Sequence, residues 1–498
     1  MKRRDFLKTA GFTAASLALP GYINAAQKTT GKRQKLPNIV FIMTDDMGYG
    51  DVTCYNPDSK IPTPNMDRLA KEGIRFTDAH SPSAVCTPTR YGVLTGRYCW
   101  RSRLKRGVFG GFNRPLIEND RLTVAAFLKR HSYSTACIGK WHLGMDWALK
   151  PGKTQNRRGG YRQDSIDFGK PIAEGPLRRG FDYFFGTPGC PTDDPPFCFI
   201  ENDRTVGIPS VISPTDPANE GRSLLMTPGW RHEDVDTTFT SKAIGFIEKH
   251  VEAKGDESFF LYLVPSVPHI PWLPPDFVKG KSQAGPRGDQ VYLADWMLGQ
   301  IMDTLDKLKI SEDTLLIFTS DNGPREGVNG HKSSWNYRGQ KGEIWEGGHR
   351  IPFITRWSGK ITPGTTCDEV TTLTDLMATC AEIVGAELPN DAGPDSYSML
   401  PALLGKKLDK PIREATVHHS GAGVFAIRQG KWKLILGTKT GGYLEGGPKE
   451  GTPGQLYNLA NDPYEKNNLW EKHPEIVERL TKLLEKYKKQ GYSRPLNG

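Results

Sequence analysis

Short apolar runs rich in β-branched residues alternate with helical patterns through most of this 498-residue chain, and no other feature restricts its fold as much. A short apolar run bounded by polar or Gly/Pro-rich segments is typical of a buried strand. The predicted strands are 38–43, 134–138, 259–264, 314–319 and 352–357.

Helical patterns lie between these strands. Apolar residues recur with helical spacing over 65–72, 123–130, 289–308 and 373–384. Strands that alternate with helices pair in parallel, because each helical crossover brings the next strand back in the same direction. The chain is therefore predicted to be an α/β protein with a large, mostly parallel sheet flanked by helices.

Two regions depart from this pattern. Residues 151–231 are rich in Gly, Pro and charge and are predicted to form long loops, which usually carry binding function. Towards the C-terminus, a hairpin pattern over 425–436, turning at Gln429-Gly430, precedes a charged amphipathic helix over 474–490. We predict a smaller C-terminal α+β subdomain with a small antiparallel sheet at 386–498.

The N-terminus has the pattern of an export signal. It reads MKRRDFLK, followed by a weakly apolar stretch to Leu19 and small residues at Ala25-Ala26. Adjacent arginines before Phe-Leu-Lys are typical of twin-arginine signals, although a short basic amphipathic helix is an alternative. We predict a signal peptide at 1–26, recognised by the twin-arginine translocase, a main domain at 27–385, and a periplasmic or extracellular location. No other apolar run approaches the length of a membrane span, so stable membrane insertion is not expected.

The charge balance points to anionic partners. The formal net charge is +10, which favours polyanions through long-range attraction. The sequence has no recognisable nucleic-acid module, so no nucleic-acid partner is expected and an acidic polysaccharide fits better. The 8 cysteines have no paired metal spacing, and Cys190/Cys198 is a weak candidate for a loop-closing disulfide.

Polar residues directly follow three of the predicted strands. They are Asp45-Asp46, Lys140-x-His142 and Asp321-Asn322. In open α/β sheets the site lies beyond the carboxyl ends of the strands, so we expect these side chains to converge. Each acidic pair alone could be a turn or a cap, but together they offer four oxygen donors, which suit a hard divalent cation.

The tract Cys86-Thr87-Pro88-Thr89-Arg90 carries the functional hypothesis. A helical pattern over 87–94 follows, so Cys86 is predicted at a helix N-terminus, where exposed backbone N–H groups favour an anion. Unmodified, Cys86 could be a small buried hydrophobe, or a thiolate nucleophile with His142 as its base.

This tract resembles the Cys-x-Pro-x-Arg motif in which type I sulfatases convert cysteine to formylglycine. Ten positions match that family in order and local context: Asp45, Asp46, Cys86, Arg90, Lys140, His142, His269, Asp321, Asn322 and Lys341. The resemblance extends from about residue 38 to Asp462-Pro463. It is weakest over 151–231 and 421–454, where substrate choice should reside. It implies an alkaline-phosphatase-like fold with a large mixed sheet.

The resemblance also implies two cofactors. Ca²⁺ would be bound by modified Cys86 and by Asp45, Asp46, Asp321 and Asn322. A formylglycine-generating maturase would act on Cys86. The hydrated aldehyde would attack sulfur with one hydroxyl, assisted by Asp321.

The remaining matched residues have implied roles at the sulfate group. Arg90 would hold the modified side chain, and Lys140 would bind sulfate. Lys341 and His269 would bind sulfate and stabilise or protonate the departing oxygen. His142 would take a proton from the second hydroxyl of the modified side chain, so that sulfate is expelled.

These observations predict a sulfuric ester hydrolase that removes sulfate from a sulfated carbohydrate, as an exo-acting glycan sulfatase. Two alternatives remain at this point. One is a phosphonate or phosphate ester hydrolase of the same superfamily. The other is an exported, non-catalytic glycan-binding protein in which Cys86 is unmodified.

Overall fold

The computed structural model describes residues 35–156, 159–213, 224–442 and 452–496, and the predicted signal peptide lies outside them. In chain order the strands are β1 (Asn38–Thr44), β2 (Ile74–Phe76), β3 (Ala79–His80), β4 (Ser134–Lys140), β5 (Tyr183–Thr187), β6 (Ile200–Glu201), β7 (Arg204–Thr205), β8 (Val211–Ser213), β9 (Leu224–Met226), β10 (Phe259–Val264), β11 (Thr314–Ser320), β12 (Phe353–Arg356), β13 (Thr365–Cys367), β14 (Thr371–Thr372), β15 (Thr416–His419), β16 (Phe425–Gln429), β17 (Trp432–Ile435) and β18 (Gln455–Asn458). The α-helices are α1 (Pro64–Glu72), α2 (Cys86–Thr95), α3 (Val124–Arg130), α4 (Val235–Lys254), α5 (Gly285–Lys307), α6 (Glu346–His349), α7 (Leu376–Ile383), α8 (Leu400–Leu403) and α9 (Pro474–Gln490).

A ten-stranded sheet in the order β13-β2-β12-β11-β1-β10-β4-β5-β6-β7 forms the framework. Its centre, from β11 to β5, is parallel, whereas β12 pairs antiparallel with β11 and with β2. Every residue of the central strands β1, β10 and β11 is buried, as expected for a parallel sheet covered on both faces. The predicted mixed, mostly parallel α/β fold is confirmed.

The core is divided by the sheet. Alternate residues of β1 point to opposite faces, so that Phe41 joins one apolar cluster and Val40 the other. Helices α2, α3 and α7 contribute to the first cluster, and α1, α4 and α5 to the second. The sheet is thus held between two helical layers, which leaves its strand ends free to form a site.

Some local predictions need correction. The prediction of loops over 151–231 is wrong at the five strands β5 to β9, of which β5 extends the sheet by pairing in parallel with β4, and β6 and β7 continue it to its edge. Helix α4 was not predicted, although its buried residues Val235, Phe239, Ala243 and Ile247 recur at helical spacing. The segment predicted as one helix over 373–384 is a 3-10 turn followed by α7.

The C-terminal subdomain is a four-stranded antiparallel sheet, β15 to β18, covered by α9. The predicted hairpin is confirmed, with its turn one residue later than expected, because Gln429 still pairs with Trp432 and Gly430 adopts a φ of 55°. Leu480 and Leu484 of α9 pack into the same apolar cluster as Leu434. The boundary predicted at 385/386 stays a prediction.

All eight cysteines are free thiols, and Cys190 forms no disulfide with Cys198. Within the described part of the chain, no helix combines the length and apolar character needed to cross a bilayer.

Candidate active site

Two adjacent strand ends bring the acidic pairs together. Thr44, the last residue of β1, pairs with Ser320, the last residue of β11, so the residues that follow lie at the same level. The side-chain Nδ2 of Asn322 donates to Asp46 Oδ1 at 2.7 Å. Asp46 has a φ of 69°, a left-handed conformation that Asp tolerates and that turns the chain at the strand end. The predicted convergence of the two acidic pairs is therefore observed.

Cys86 is the first residue of α2, as the sequence predicts. Its side chain is buried, and Sγ lies 3.4 Å from Asp45 Oδ1. Burial, followed by the charge of Asp45, raises the pKa of the Cys86 thiol well above its ordinary value. An activated thiolate requires the opposite shift, so the electrostatics disfavour the thiolate alternative.

Arg90 lies one helical turn after Cys86 and joins three elements. Its Nε and Nη2 donate to Asp321 Oδ2 at 3.1 and 2.8 Å, and Nη1 donates to the Lys140 carbonyl at 2.9 Å. Arg90 is fully buried, and such charge-assisted bonds are strong there. The guanidinium therefore fixes α2 against the ends of β4 and β11.

Cationic side chains surround the two carboxylates that follow β1. Lys140 Nζ donates to Asp45, and Lys341 Nζ donates to Asp46 Oδ2 at 2.8 Å. His269 Nε2 lies 3.8 Å from Asp46 Oδ2. These three cationic or ionisable groups come from β4 and from two loops, so only the folded chain assembles them.

His142, two residues after the end of β4, does not continue the extended backbone of the strand. It has a φ of 55°, and its ring contacts the Phe109 carbonyl and Asp194. Its own carbonyl accepts a hydrogen bond at 3.0 Å from Thr87, the neighbour of Cys86. His142 thus borders the site, while the other nine predicted residues form one contact network.

The charges of the site shift its carboxyl groups in opposite directions. Burial alone would raise the pKa of Asp45, but Lys140, then His269 and Arg90, lower it well below its usual value. Burial and the charge of Asp45 raise the pKa of Asp321 to about 7. The pKa of Lys140 and of Lys341 is raised well above normal, because the neighbouring carboxylates outweigh burial. Both lysines are therefore cations.

The donor set fits a hard cation. Asp45, Asp46, Cys86 and His269 present ligand atoms within 4.8 Å of one another. Asn322 Oδ1 is buried beside them and has no hydrogen-bond partner. Carboxylate and amide oxygens are the ligands that Ca²⁺ prefers, and an orphaned buried oxygen is costly unless something binds it.

Sequence reasoning missed several supporting residues. Arg287 donates to both oxygens of Asp51 at 2.7 Å and to the Asp46 carbonyl at 3.2 Å. Asp236 accepts from the amide and hydroxyl of Ser266 at 2.7 Å, which braces the loop that carries His269. These partners are far apart along the chain, so no local pattern could have paired them.

Comparisons with known proteins identify sulfatases as relatives of this chain. A family model described as Sulfatase matches residues 37–386, and one described as N-sulphoglucosamine sulphohydrolase, C-terminal, matches residues 339–490. The chain is 36% identical to the N-acetylgalactosamine-6-O-sulfatase of Bacteroides thetaiotaomicron, over 94% of this chain and 96% of that protein. It is 32% identical to human arylsulfatase A, over 90% of this chain and 87% of that protein.

A solved structure is also similar to this chain over most of its length. A structure from a study of glycosaminoglycan metabolism by Bacteroides thetaiotaomicron superposes with a TM-score of 0.79 at 36% identity. The match covers 91% of this chain and 100% of that one.

Proposed function

Because this chain belongs to the sulfatase family, we propose that it removes sulfate from a sulfated carbohydrate. The observation that carries the proposal is that two lysine cations, Lys140 and Lys341, and the His269 ring surround two carboxylates and the N-terminal residue of α2. A sulfate ester is an anion, so the attack of another anion on it requires this kind of field.

We propose Ca²⁺ as the resident metal, held by Asp45, Asp46, Asp321 and Asn322 together with residue 86. The buried, unpartnered Asn322 Oδ1 supports this assignment. When bound, the ion would neutralise the carboxylates and polarise oxygens of the attacking group and the ester.

We propose that a maturase converts Cys86 to formylglycine, whose hydrate would supply one hydroxyl for attack and a second for release of sulfate. The Cys-Thr-Pro-Thr-Arg tract supports this, and so does the raised pKa of the thiol, caused by burial, which makes unmodified cysteine a poor nucleophile. Arg90, fixed on Asp321, would hold the modified side chain, and Asp321 would assist the attack.

The chain's own cations would bind and neutralise the ester. Lys140 and Lys341 remain charged in this environment and would contact the sulfate oxygens. Lys341 and His269 would stabilise or protonate the departing oxygen. Because both lysines are buried and held on carboxylates, they need little reorganisation during the reaction.

His142 would take the proton from the second hydroxyl of residue 86. Burial and the charge of Lys140 lower the pKa of His142, so its ring is neutral and can accept a proton at neutral pH. Its Nδ1 is buried and has no hydrogen-bond partner.

The first substrate to test is a glycan with a terminal, 6-O-sulfated N-acetylgalactosamine, since a relative of that name is similar over nearly the whole chain. Exo action on such an end is part of the proposal. The segments 151–231 and 421–454 would determine which sulfated sugar is accepted.

The decisive experiment uses the full chain produced with a formylglycine-generating maturase. Mass spectrometry of the Cys86 peptide should detect the aldehyde, and the protein should hydrolyse an aryl sulfate faster than the matching aryl phosphate. Thiol alone with no turnover would favour a glycan-binding protein. A preference for the phosphate would favour a phosphoesterase.

We also propose export through the twin-arginine translocase, supported by the MKRRDFLK sequence. Replacing Arg3 and Arg4 with lysine should retain the protein in the cytoplasm of a bacterial host, as measured by cell fractionation. Export of the double variant at the wild-type level would contradict this route.

A further inference from the structure

The two ring nitrogens of His142 have different surroundings. Nε2 faces two acceptors, the Phe109 carbonyl and Asp194 Oδ2, the latter at 3.2 Å. Nδ1 is buried and has no hydrogen-bond partner. Since neither a carbonyl nor a carboxylate can donate, the proton of the neutral ring lies on Nε2, and the lone pair lies on Nδ1.

Asp194 is itself held in place by a tight turn. Its Oδ2 accepts from the Cys190 amide at 3.1 Å, and its own amide donates to the Cys190 carbonyl at 2.9 Å. Burial would raise the pKa of Asp194, but its hydrogen bond with His142 and the charge of Lys140 lower it. The side chain is therefore a carboxylate whose position is set by the backbone.

The Phe109 carbonyl is positioned by the start of α2. The hydroxyl of Thr87 accepts from the Phe109 amide at 3.0 Å and donates to the His142 carbonyl at 3.0 Å. Thr87 follows Cys86 directly, so the acceptors that fix the ring are tied to the residue on which the ring would act.

We propose that Asp194 is a positioning residue that, with the Phe109 carbonyl, holds His142 in the tautomer whose Nδ1 is the proton acceptor. Its negative charge also stabilises the imidazolium that forms when Nδ1 takes the proton. This inference rests on the proposed function, because it concerns the step in which sulfate is released from residue 86.

Asp194→Asn tests the role with little change of shape. In matured protein with an aryl sulfate, we expect kcat to fall by about 10- to 100-fold and KM to fall with it, so that kcat/KM changes little, because only the release of sulfate is slowed. Attack on sulfur does not use His142, so a burst of about one equivalent of phenol should precede the slow turnover. Asp164→Asn is the matched control, since it removes the same charge from a 57% exposed side chain paired with Arg162, and its kcat should be unchanged.

A double variant separates positioning from a direct role. If Asp194 acts through His142, Asp194→Asn combined with His142→Gln should be no slower than His142→Gln alone. Asp194→Glu should recover part of the lost kcat. The inference would be overturned if the losses of kcat multiplied in the double variant, or if Asp194→Asn raised KM with normal kcat. Either result would indicate contact with substrate. Wild-type protein that fails to hydrolyse the sulfate would instead refute the proposed function.

Discussion

Two buried charge clusters in this protein look alike by composition but differ in arrangement. The active-site cluster contains Asp45, Asp46, Arg90, Lys140, Asp321 and Lys341. The second, here called the junction cluster, lies where the C-terminal sheet meets the main domain and contains Asp78, His80, Glu346, His349, Arg350, His418, Arg428, Lys433 and Glu465. Each combines three carboxyl groups with three Lys or Arg side chains.

The junction cluster is internally matched. Lys433 Nζ lies 3.0 Å from Glu346 and 2.8 Å from Glu465, and Arg428 pairs with Asp78 at 2.6 Å. Each cation there lies within ion-pair distance of at least one carboxylate, and Arg350 contacts both Asp78 and Glu346. Such a cluster ties two layers together.

Three histidines of the junction cluster have ring nitrogens within 4.8 Å of one another, which by distance alone suggests a metal site. The rings of His349 and His418 are stacked, however, at 4.1 Å with an interplanar angle of 8°. Their lone pairs lie in parallel planes and cannot converge on one ion. The Lys433 ammonium, 2.9 Å from His349 Nε2, would also repel a cation.

The active-site cluster differs because its oxygens converge. The carboxylates of Asp45 and Asp46 meet beside Cys86, the first residue of a helix, and the side chain of Asn322, whose oxygen has no hydrogen-bond partner, is bonded to Asp46. Burial and ion pairing are thus common to structural and candidate functional clusters. Asp78 and Glu346 of the junction cluster also lie close together, but the Arg350 guanidinium contacts both of them, whereas Asp45 and Asp46 are bonded to different lysines. Two neighbouring carboxylates without a shared cation are unfavourable unless a further charge is bound, and this distinguishes the candidate functional cluster.

The largest expected effect tests the active-site cluster. Cys86→Ala should lower kcat by about 10⁴-fold or more, because no other group can supply the nucleophile, while stability falls by only about 1 kcal/mol. Aryl sulfate turnover and thermal unfolding measure the two quantities. Cys380→Ala, in another fully buried thiol, should cost similar stability and keep its activity. Substantial turnover by Cys86→Ala would refute the assigned nucleophile.

A substitution in the junction cluster should lower stability and leave kcat unchanged. Lys433→Met removes the ammonium between Glu346 and Glu465; Glu346 keeps Arg350, but the buried Glu465 loses its cation, and the change should cost about 3–5 kcal/mol in the free energy of unfolding. Urea denaturation measures this, and kcat of the folded fraction should stay near wild type. Lys431→Met, at an exposed position in the hairpin turn between β16 and β17, should cost less than about 0.5 kcal/mol. Equal stability of both variants would show that the junction pairing is unimportant.

Acid should loosen the contact between the C-terminal sheet and the start of α2. His419 is buried against Ser83, and burial lowers its pKa from 6.5 to about 4. The unfolded chain therefore binds the extra proton first, so this stabilisation is complete above pH 6.5 and is lost as the pH falls to about 4. The loss is about 3 kcal/mol.

The free energy of unfolding between pH 4 and 7 for wild type and His419→Gln checks this. The variant should depend less on pH over that range, and unchanged slopes would show that His419 does not titrate as stated.

The smallest expected effect compares the two clusters directly. Ca²⁺ at about 100 times its Kd should stabilise the protein by about 2.7 kcal/mol, seen as a raised Tm that a chelator reverses. Asp321→Ala should abolish the shift and reduce retained calcium. Zn²⁺ should cause no rise in Tm that disappears when His349 or His418 is substituted. A zinc shift lost on substitution of His418 would contradict the argument from ring stacking.

The acidic pairs of the site were predictable because polar residues follow uninterrupted apolar runs. Asp45 and Asp321 come directly after β1 and β11, whose runs are long enough to identify as buried strands. Cys86 was predictable from its short motif and the helix that follows. In each case the signal lies within about ten neighbouring residues, where spacing alone has physical meaning.

Other parts of the site had no such signal. Asp194 lies in a Gly/Pro-rich segment and meets His142 only because β5 joins the sheet beside β4 and brings that segment over the strand ends. The backbone at His142 is left-handed, so its side chain does not follow the alternation of an extended strand.

The sequence by itself determined the alternation of strands and helices, the helix start at Cys86 and the acids at two strand ends, because these follow from local spacing and from the chemistry of neighbouring side chains. The tertiary structure alone decided which cations meet which carboxylates, which ring nitrogen of His142 keeps its lone pair, and why one buried cluster is matched while the other converges. Those outcomes depend on strand order and on the packing of segments that are distant along the chain, and local patterns carry no information about either.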